Sequence, residues 1–329
     1  MLEVRVADDR VHIGERFSVS FQRTLRIPDD GGNYPLPPGL GPFPVHRVAD
    51  YADRVPPAWR EQGGVFIPMY QREALWLAFD AAFWKPNAVK IGVGGINAVS
   101  GLPWDESLHA DPQDYLVCPD QPWLDGINAG EEFVRQFVAV PLGEGYTVEG
   151  QLTGSETVGG VQLLVFEPKP GIFPDEPPPE PEHAFVQESV MFADAKFDMG
   201  LAAGGRIEQK IYPDPHGIDT WDPDERGEVF VHIVNTEQYR ELTGQEPPLS
   251  PITARTYSER GLPWFALYDE EERDIAPSPA LGGVKSVREK DAERGVEGDD
   301  DTSVDIASGS IVGLEKETSE RRSEESSNP

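Results

Sequence analysis

The chain has 329 residues with 59 acidic and 28 basic side chains, a formal net charge of −31 and a pI near 4.4, and it is long enough to bury a sizeable core. No stripe of clustered Lys and Arg is present to displace counterions from phosphates, which argues against nucleic acid and anionic bilayers as partners. The single cysteine, Cys118, excludes an internal disulfide and a cysteine-cluster metal site.

Chain order begins with Met1-Leu2-Glu3-Val4-Arg5-Val6, which carries no apolar core or cleavage pattern of a secretory signal. Val4, Val6, Val11, Ile13, Phe17, Val19 and Phe21 recur at spacings near two, so the opening is predicted to be strands, with Asp8-Asp9 turning the first pair. Pro28 to Pro44 is too rich in proline and glycine for a ladder or a helix interior and reads as a long irregular loop. The most apolar region, Ala74 to Val99, is broken by Asp80, Lys85 and Lys90, so no uncharged run of about 18 residues exists to span a bilayer. Within it, two strand-like runs flank Gly94-Gly95, a pair suited to the positive φ values of a type I′ hairpin.

Phe133 to Val140 fits a helix or a strand by periodicity, and its β-branched and aromatic content before Pro141 favours the strand. The alternation of Tyr146, Val148, Gly150 and Leu152 predicts a further strand, joined in a hairpin to Val161 to Phe166. Pro168 to Pro181 reads as extended polyproline-like chain. Beyond it, Phe185 to Phe192 and Arg206 to Tyr212 have strand character around a flexible Gly200 to Gly205 segment. Val229 to Val234 reads as a buried strand, followed by a short helix with Asn235 as N-cap, Tyr239 and Leu242 as its apolar stripe and Gly244 as its stop.

From about Ala280 the composition predicts a disordered, dispensable tail with a transient helix near Val284 to Arg294. The resulting expectation is a mainly β, β-sandwich-like two-sheet fold with few short helices. Its parts are a β-rich region over 1–167, a Pro-rich linker or surface loop over 168–184, a second β-rich region over 185–280 that can share one compact unit with the first, and a disordered acidic tail over 281–329.

The tail does not carry the charge imbalance, because residues 1–280 retain 46 acidic and 21 basic side chains, a net of −25. With 20 Arg and only 8 Lys among the cations, this balance suits molar salt, where the screening length falls to about 3 Å. It points to the cytoplasm of a salt-adapted cell, and an acidic surface for cations or basic partners would produce the same balance.

Two polar clusters are candidates for chemistry. Asp214, His216, Asp219 and Asp222, with Asp224 beyond, place one imidazole among carboxylates on a turn-rich loop, a set that would hold a divalent cation as cofactor. Asp-Pro and His-Gly are also ordinary turn pairs. In the second cluster Trp104-Asp105, His109, Asp111, Asp114, Asp120 and Trp123-Leu124-Asp125 set tryptophans beside carboxylates. An aromatic platform with paired acids is what glycoside processing requires, so Asp105, His109, Asp120 and Asp125 are the catalytic candidates. Core packing for the tryptophans and surface charge for the acids is the plainer account. No phosphate-binding glycine loop and no Gly-x-Ser-x-Gly elbow is present, and Cys118 lies in an apolar strand-like setting that suits an inert thiol.

Four stretches carry a family resemblance: Asp120 to Gly126, Arg135 to Glu149, Met199 to Gly205 and Gly261 to Phe265. Through them the chain, over about residues 15–287, resembles a family of uncharacterised microbial proteins of bacteria and fungi, sometimes labelled integral membrane protein. The resemblance implies no catalytic residue and no substrate. The expected function is a cytoplasmic binding or assembly protein, with a protein partner or self-association. The rival is a hydrolase acting on a carbohydrate-like or phosphorylated ligand at one of the acidic clusters.

Overall fold

The computed structural model describes residues 1–177, 199–267, 273–296 and 302–314. It is mainly β, with seventeen strands connected in one large sheet and a small second sheet of two strands. The large sheet falls into two layers. In one, Val4–Ala7, Arg10–Ile13, Phe17–Thr24, Ala74–Ala81, Phe133–Pro141 and Met199–Glu208 follow as antiparallel neighbours. In the other, Trp221–Asn235 pairs in parallel with Val65–Met69 and antiparallel with Val161–Pro168, which continues to Asn87–Val93 and Leu116–Cys118. A pairing of Met199 with Ile233 joins the layers.

The core lies between them, because period-two side chains of both layers meet there: Val19, Phe21, Leu75, Leu77 and Phe137 from one, Ile67, Ile91, Leu163, Val231 and Ile233 from the other. Apolar residues on the outward faces are covered by local chain. Helix residue Val287 and Tyr146 cover Ala74, Val138 and Ala202, and Tyr115 and Trp221 cover Ala88, Leu164 and Phe166.

Several expected elements stand where the residue pattern puts them. The opening strands turn at Asp8 and Asp9, both at positive φ, and Gly94 and Gly95 take φ of 59° and 74° in the hairpin that pairs Ile96 with Val93. Asn235 accepts hydrogen bonds from the N–H groups of Glu237 and Gln238 at 3.0 and 2.9 Å, opening the helix Thr236–Thr243 that ends at Gly244.

Other elements differ. Tyr146 to Leu152 is not a strand. Thr147 Oγ1 accepts the Gly150 N–H at 2.9 Å and caps a helix, Val148–Thr153. Glu149 folds its carboxylate onto the N–H groups of Thr157, Val158 and Gly159 at 2.8–2.9 Å. These local bonds win over a short alternation whose one ladder contact is an isolated bridge between Thr147 and Ala202. Gly200 to Gly205 is not a flexible break but the interior of Met199–Glu208. A Cβ at Gly204 would lie 2.6 Å from Val138 Cγ2 and one at Gly205 2.3 Å from the Pro28 carbonyl oxygen, so glycine serves close backbone approach there.

The Pro28 to Pro44 loop is laid along the sheet edges through two short strands, Asn33–Tyr34 and Gly39–Pro42. The two β-rich regions share strand pairs, Phe133–Pro141 with Met199–Glu208 and Val161–Pro168 with Trp221–Asn235. The expected Phe185 to Phe192 strand and the Pro-rich chain beyond Pro177 lie outside the described residues.

Residues 281–296 and 302–314 are not the disordered tail expected there. Helices Pro279–Gly282 and Val287–Arg294 pack Leu281, Val284 and Val287 into the body, and Ile311–Leu314 pairs in parallel with Trp264–Leu267. Residues past 314 lie outside the described ones. Among the described residues, no helix is long and apolar enough to cross a membrane.

Candidate functional site: an aromatic cleft around Asp125

The Asp214 to Asp224 loop spends its polar groups locally. Asp214 Oδ2 accepts from the Tyr115 hydroxyl at 2.6 Å and the Trp221 indole at 3.0 Å, and its Oδ1 accepts the His216 N–H at 2.7 Å. The exposed His216 ring sits edge-on to Phe173 and Trp221. Asp219 offers its backbone carbonyl to Lys169, and Asp222 accepts the Asp224 N–H. Asp214, His216, Asp219 and Asp222 are not brought to one point.

Asp105, His109 and Asp114 do converge, with ligand atoms within 4.8 Å of one another. An ammonium already sits among them. Lys90, 1 % exposed, places Nζ 2.7 Å from Asp105 Oδ1 and 2.8 Å from Asp114 Oδ2, over the face of Trp104. His109 Nδ1 lies 2.8 Å from Asp114 Oδ2. Burial works upward on Asp105, but hydrogen bonds from Lys90 and the Ser107 N–H outweigh it and leave the carboxyl below its usual range. The group is a neutralising ion-pair network on the outer face of a strand. Asp120 lies apart, exposed on the turn after Leu116–Cys118.

Asp125 is different. Its backbone is clamped, the N–H donating to Gln209 Oε1 at 3.0 Å and the carbonyl accepting the Phe137 N–H at 3.0 Å. Asp125, 3 % exposed, lines a cleft of about 250 Å³ together with Trp76, Trp123, Phe265, Leu36, Pro37 and Gly39. Each wall has a structural cause. Trp76 and Trp123 project from the paired strands Ala74–Ala81 and Trp123–Leu124. The Pro-rich loop is pinned to Phe265 by reciprocal backbone bonds with Leu36 at 2.8 and 3.0 Å. At Gly39 a Cβ would come 3.3 Å from the Trp76 ring, so glycine lets the loop close against the indole.

Burial pushes the Asp125 carboxyl up to about 7, with a hydrogen bond from the Trp123 side chain working the other way. Its Oδ2 and the Trp76 Nε1 are both buried without a hydrogen-bond partner. Asp125 and Trp76, two residues that line one aromatic cleft, thus each carry a buried polar atom without a partner, a costly arrangement.

Sequence reasoning reaches Trp123 and Asp125 but not Trp76, Phe265 or Lys90. The one available signal is for Lys90, a lone cation inside the apolar run Val89 to Val93, where a buried charge demands partners. Comparisons with protein families, with curated proteins and with solved structures return no match.

Proposed function

We propose that the chain is a soluble small-molecule binding protein whose aromatic cleft takes a small organic cation. The observation that carries this reading is the buried carboxyl of Asp125, with Oδ2 unpartnered, in a residue that lines one cleft with three aromatic residues. Aromatic faces attract a desolvated cation by up to about 2 kcal/mol, and a positive group beside Asp125 would offset the burial that raises its pKa. A sugar is less well served, because the cleft side chains offer only Asp125 and the Trp76 indole as orphaned polar partners. Glycoside hydrolysis needs two carboxyls flanking the bond. Asp125 is the one carboxyl on the cleft wall, while Asp105 is held by Lys90 and Asp120 stands on an exposed turn. The charge of −31 draws cations toward the protein and supports the further reading of a cytoplasmic protein of a salt-adapted cell.

The test compares choline with its uncharged isostere 3,3-dimethylbutan-1-ol by calorimetry in matched potassium chloride. Choline is expected to bind saturably and at least about tenfold tighter, a difference of 1.4 kcal/mol. Asp125→Asn is expected to abolish the preference. Binding at pH 7 is expected to release part of a proton, since Asp125 is then near its midpoint. Equal binding of the alcohol, or no saturable binding of choline, overturns the reading.

A further inference from the structure

The aromatic cleft keeps its carboxyl out of reach. Asp125 is 3 % exposed and its Oδ2 is buried, so a cation meets that oxygen only after part of the cleft lining moves. The lining has a fixed half and an outer half. Trp76 and Trp123 stand on paired strands of the large sheet, and backbone hydrogen bonds with Gln209 and Phe137 hold Asp125 beside them. Leu36, Pro37 and Phe265 lie outside the large sheet. Leu36 and Pro37 fall between the short strands Asn33–Tyr34 and Gly39–Pro42, and Phe265 belongs to the two-stranded sheet of Trp264–Leu267 with Ile311–Leu314. An isolated bridge, the reciprocal pair of bonds between Leu36 and Phe265, joins them.

The chain segment 302–314 holds this outer half in place. Its first three residues are tied to separate elements: the Thr302 hydroxyl accepts from Arg255, the Ser303 side chain hydrogen-bonds the Asp30 carboxylate, and the Val304 N–H donates to the Tyr34 hydroxyl at 3.4 Å. Tyr34, two residues before Leu36, donates in turn to Asp30 Oδ2 at 2.8 Å. Val304 and Ile306 rest partly buried on the main core. Ile311–Leu314 then runs parallel to the Phe265 strand, with Val312 facing Phe265 and Gly313 facing Ala266. This attachment is light. Ile311 and Val312 are 39 % and 46 % exposed, parallel pairing is the weaker kind per residue, and an isolated two-stranded sheet is marginal at best. Trp264, by contrast, is fully buried with its indole N–H on Ser258 Oγ, so it anchors the base of the Phe265 strand when the outer strand lifts. Segments with few buried apolar contacts open for a small part of the global unfolding free energy.

We infer that residues 302–314 form a strap that closes the aromatic cleft, and that a cation enters when Ile311–Leu314 lifts from Trp264–Leu267 and releases Phe265 and Leu36. The identity of what enters rests on the cation reading of the cleft, and the motion itself does not. Two consequences separate a strap from a static wall. Entry and exit of the cation are limited by lifting of the strand rather than by diffusion, so fixing the strand slows both together. The amides of Leu36 and Phe265, each bonded to the carbonyl of the other residue, exchange with solvent through the same opening.

Ala266→Cys with Gly313→Cys in the full chain sets two thiols on facing residues of neighbouring strands, at a Cα spacing of about 4.8 Å that suits a disulfide. Cys118 is buried, with its thiol pushed up by that burial, and stays out of the exchange. Oxidation is expected to slow hydrogen exchange at the Leu36 and Phe265 amides at least about tenfold and to leave the Gly94-Gly95 hairpin amides unchanged. Stopped-flow association and dissociation of choline, followed by tryptophan fluorescence, are expected to slow by a similar factor, and reduction is expected to restore both readouts. Val312→Pro, at an exposed position, removes a backbone donor from the outer strand and is expected, in a chain shown folded by its melt, to move both readouts the other way. If the two amides respond neither to the disulfide nor to Val312→Pro, the strap is overturned. If they respond but choline, bound by the wild type, enters at the same rate in every form, the gating role is overturned. Failure of the wild type to bind choline removes the cation reading instead, and the exchange of the two amides then decides alone whether 302–314 holds the wall.

Discussion

Replacing Asp125 by Asn removes an ionisable group while keeping its shape, and the pH dependence of stability isolates what that group costs. With the carboxyl at about 7 in the folded protein and 3.8 as its ordinary value, the folded chain holds a proton that the unfolded chain has released throughout the window between them. Stability therefore falls as pH rises from about 4 to about 7 and levels off above it. Roughly three pKa steps at 1.36 kcal/mol each set an upper bound of about 4 kcal/mol. Asn carries no such penalty. The two proteins should be of similar stability near pH 4, and the variant should be the more stable by about 2 to 4 kcal/mol at pH 8. Urea denaturation at five pH values in constant potassium chloride reads the difference directly, and taking the difference cancels the titration of the other carboxylates. Parallel stability curves for the two proteins from pH 4 to 8 would show that Asp125 titrates normally and would remove the physical basis of the cleft.

Two further outcomes follow from packing and charge. A chain ending after Gly283 loses Val287, fully buried, and Asp291, which accepts from Arg72 and from the Tyr146 hydroxyl at 2.7 Å. Burial of one such side chain alone is worth about 1.5 to 3 kcal/mol, so the truncated chain should melt at least roughly 5 °C lower, and coincident melts would show that the helix is not docked. With 25 net negative charges in residues 1–280, Tm should climb steeply between 0.1 and 3 M potassium chloride as repulsion is screened. A flat response would remove salt adaptation as the reason for the composition.

Elements that depend on neighbours in sequence were legible, and contacts between distant segments were not. The Gly94-Gly95 hairpin and the Asn235-capped helix each have their whole cause within a few residues, in a positive φ pair and in a side chain that satisfies orphan N–H groups. Tyr146 to Leu152 failed because its alternation matched a strand while Thr147 and Glu149 found closer partners. Gly200 to Gly205 failed because glycine signals both freedom and close approach, and only the position of Val138 and Pro28 decides between them. The cleft divides in the same way. Trp123 and Asp125 sit two residues apart, so their association could be seen, but Trp76 lies on another strand, and Leu36 and Phe265 meet through an isolated bridge between segments more than 220 residues apart. Of the two charge patterns, one brings Asp105, His109 and Asp114 together, and the other does not gather its acids. Acids close in sequence suggested two shared sites, yet a carboxylate in a turn is satisfied most cheaply by its own backbone, as at Asp214 and Asp222, and Asp105 and Asp114 spend theirs on Lys90. Asp125 lies instead where strand register, through Trp123 against Ala78, turns it from both solvent and cations. With the Trp123 side chain as its hydrogen-bond partner and Oδ2 left without one, the carboxyl keeps the raised pKa that the comparison with Asn reads out.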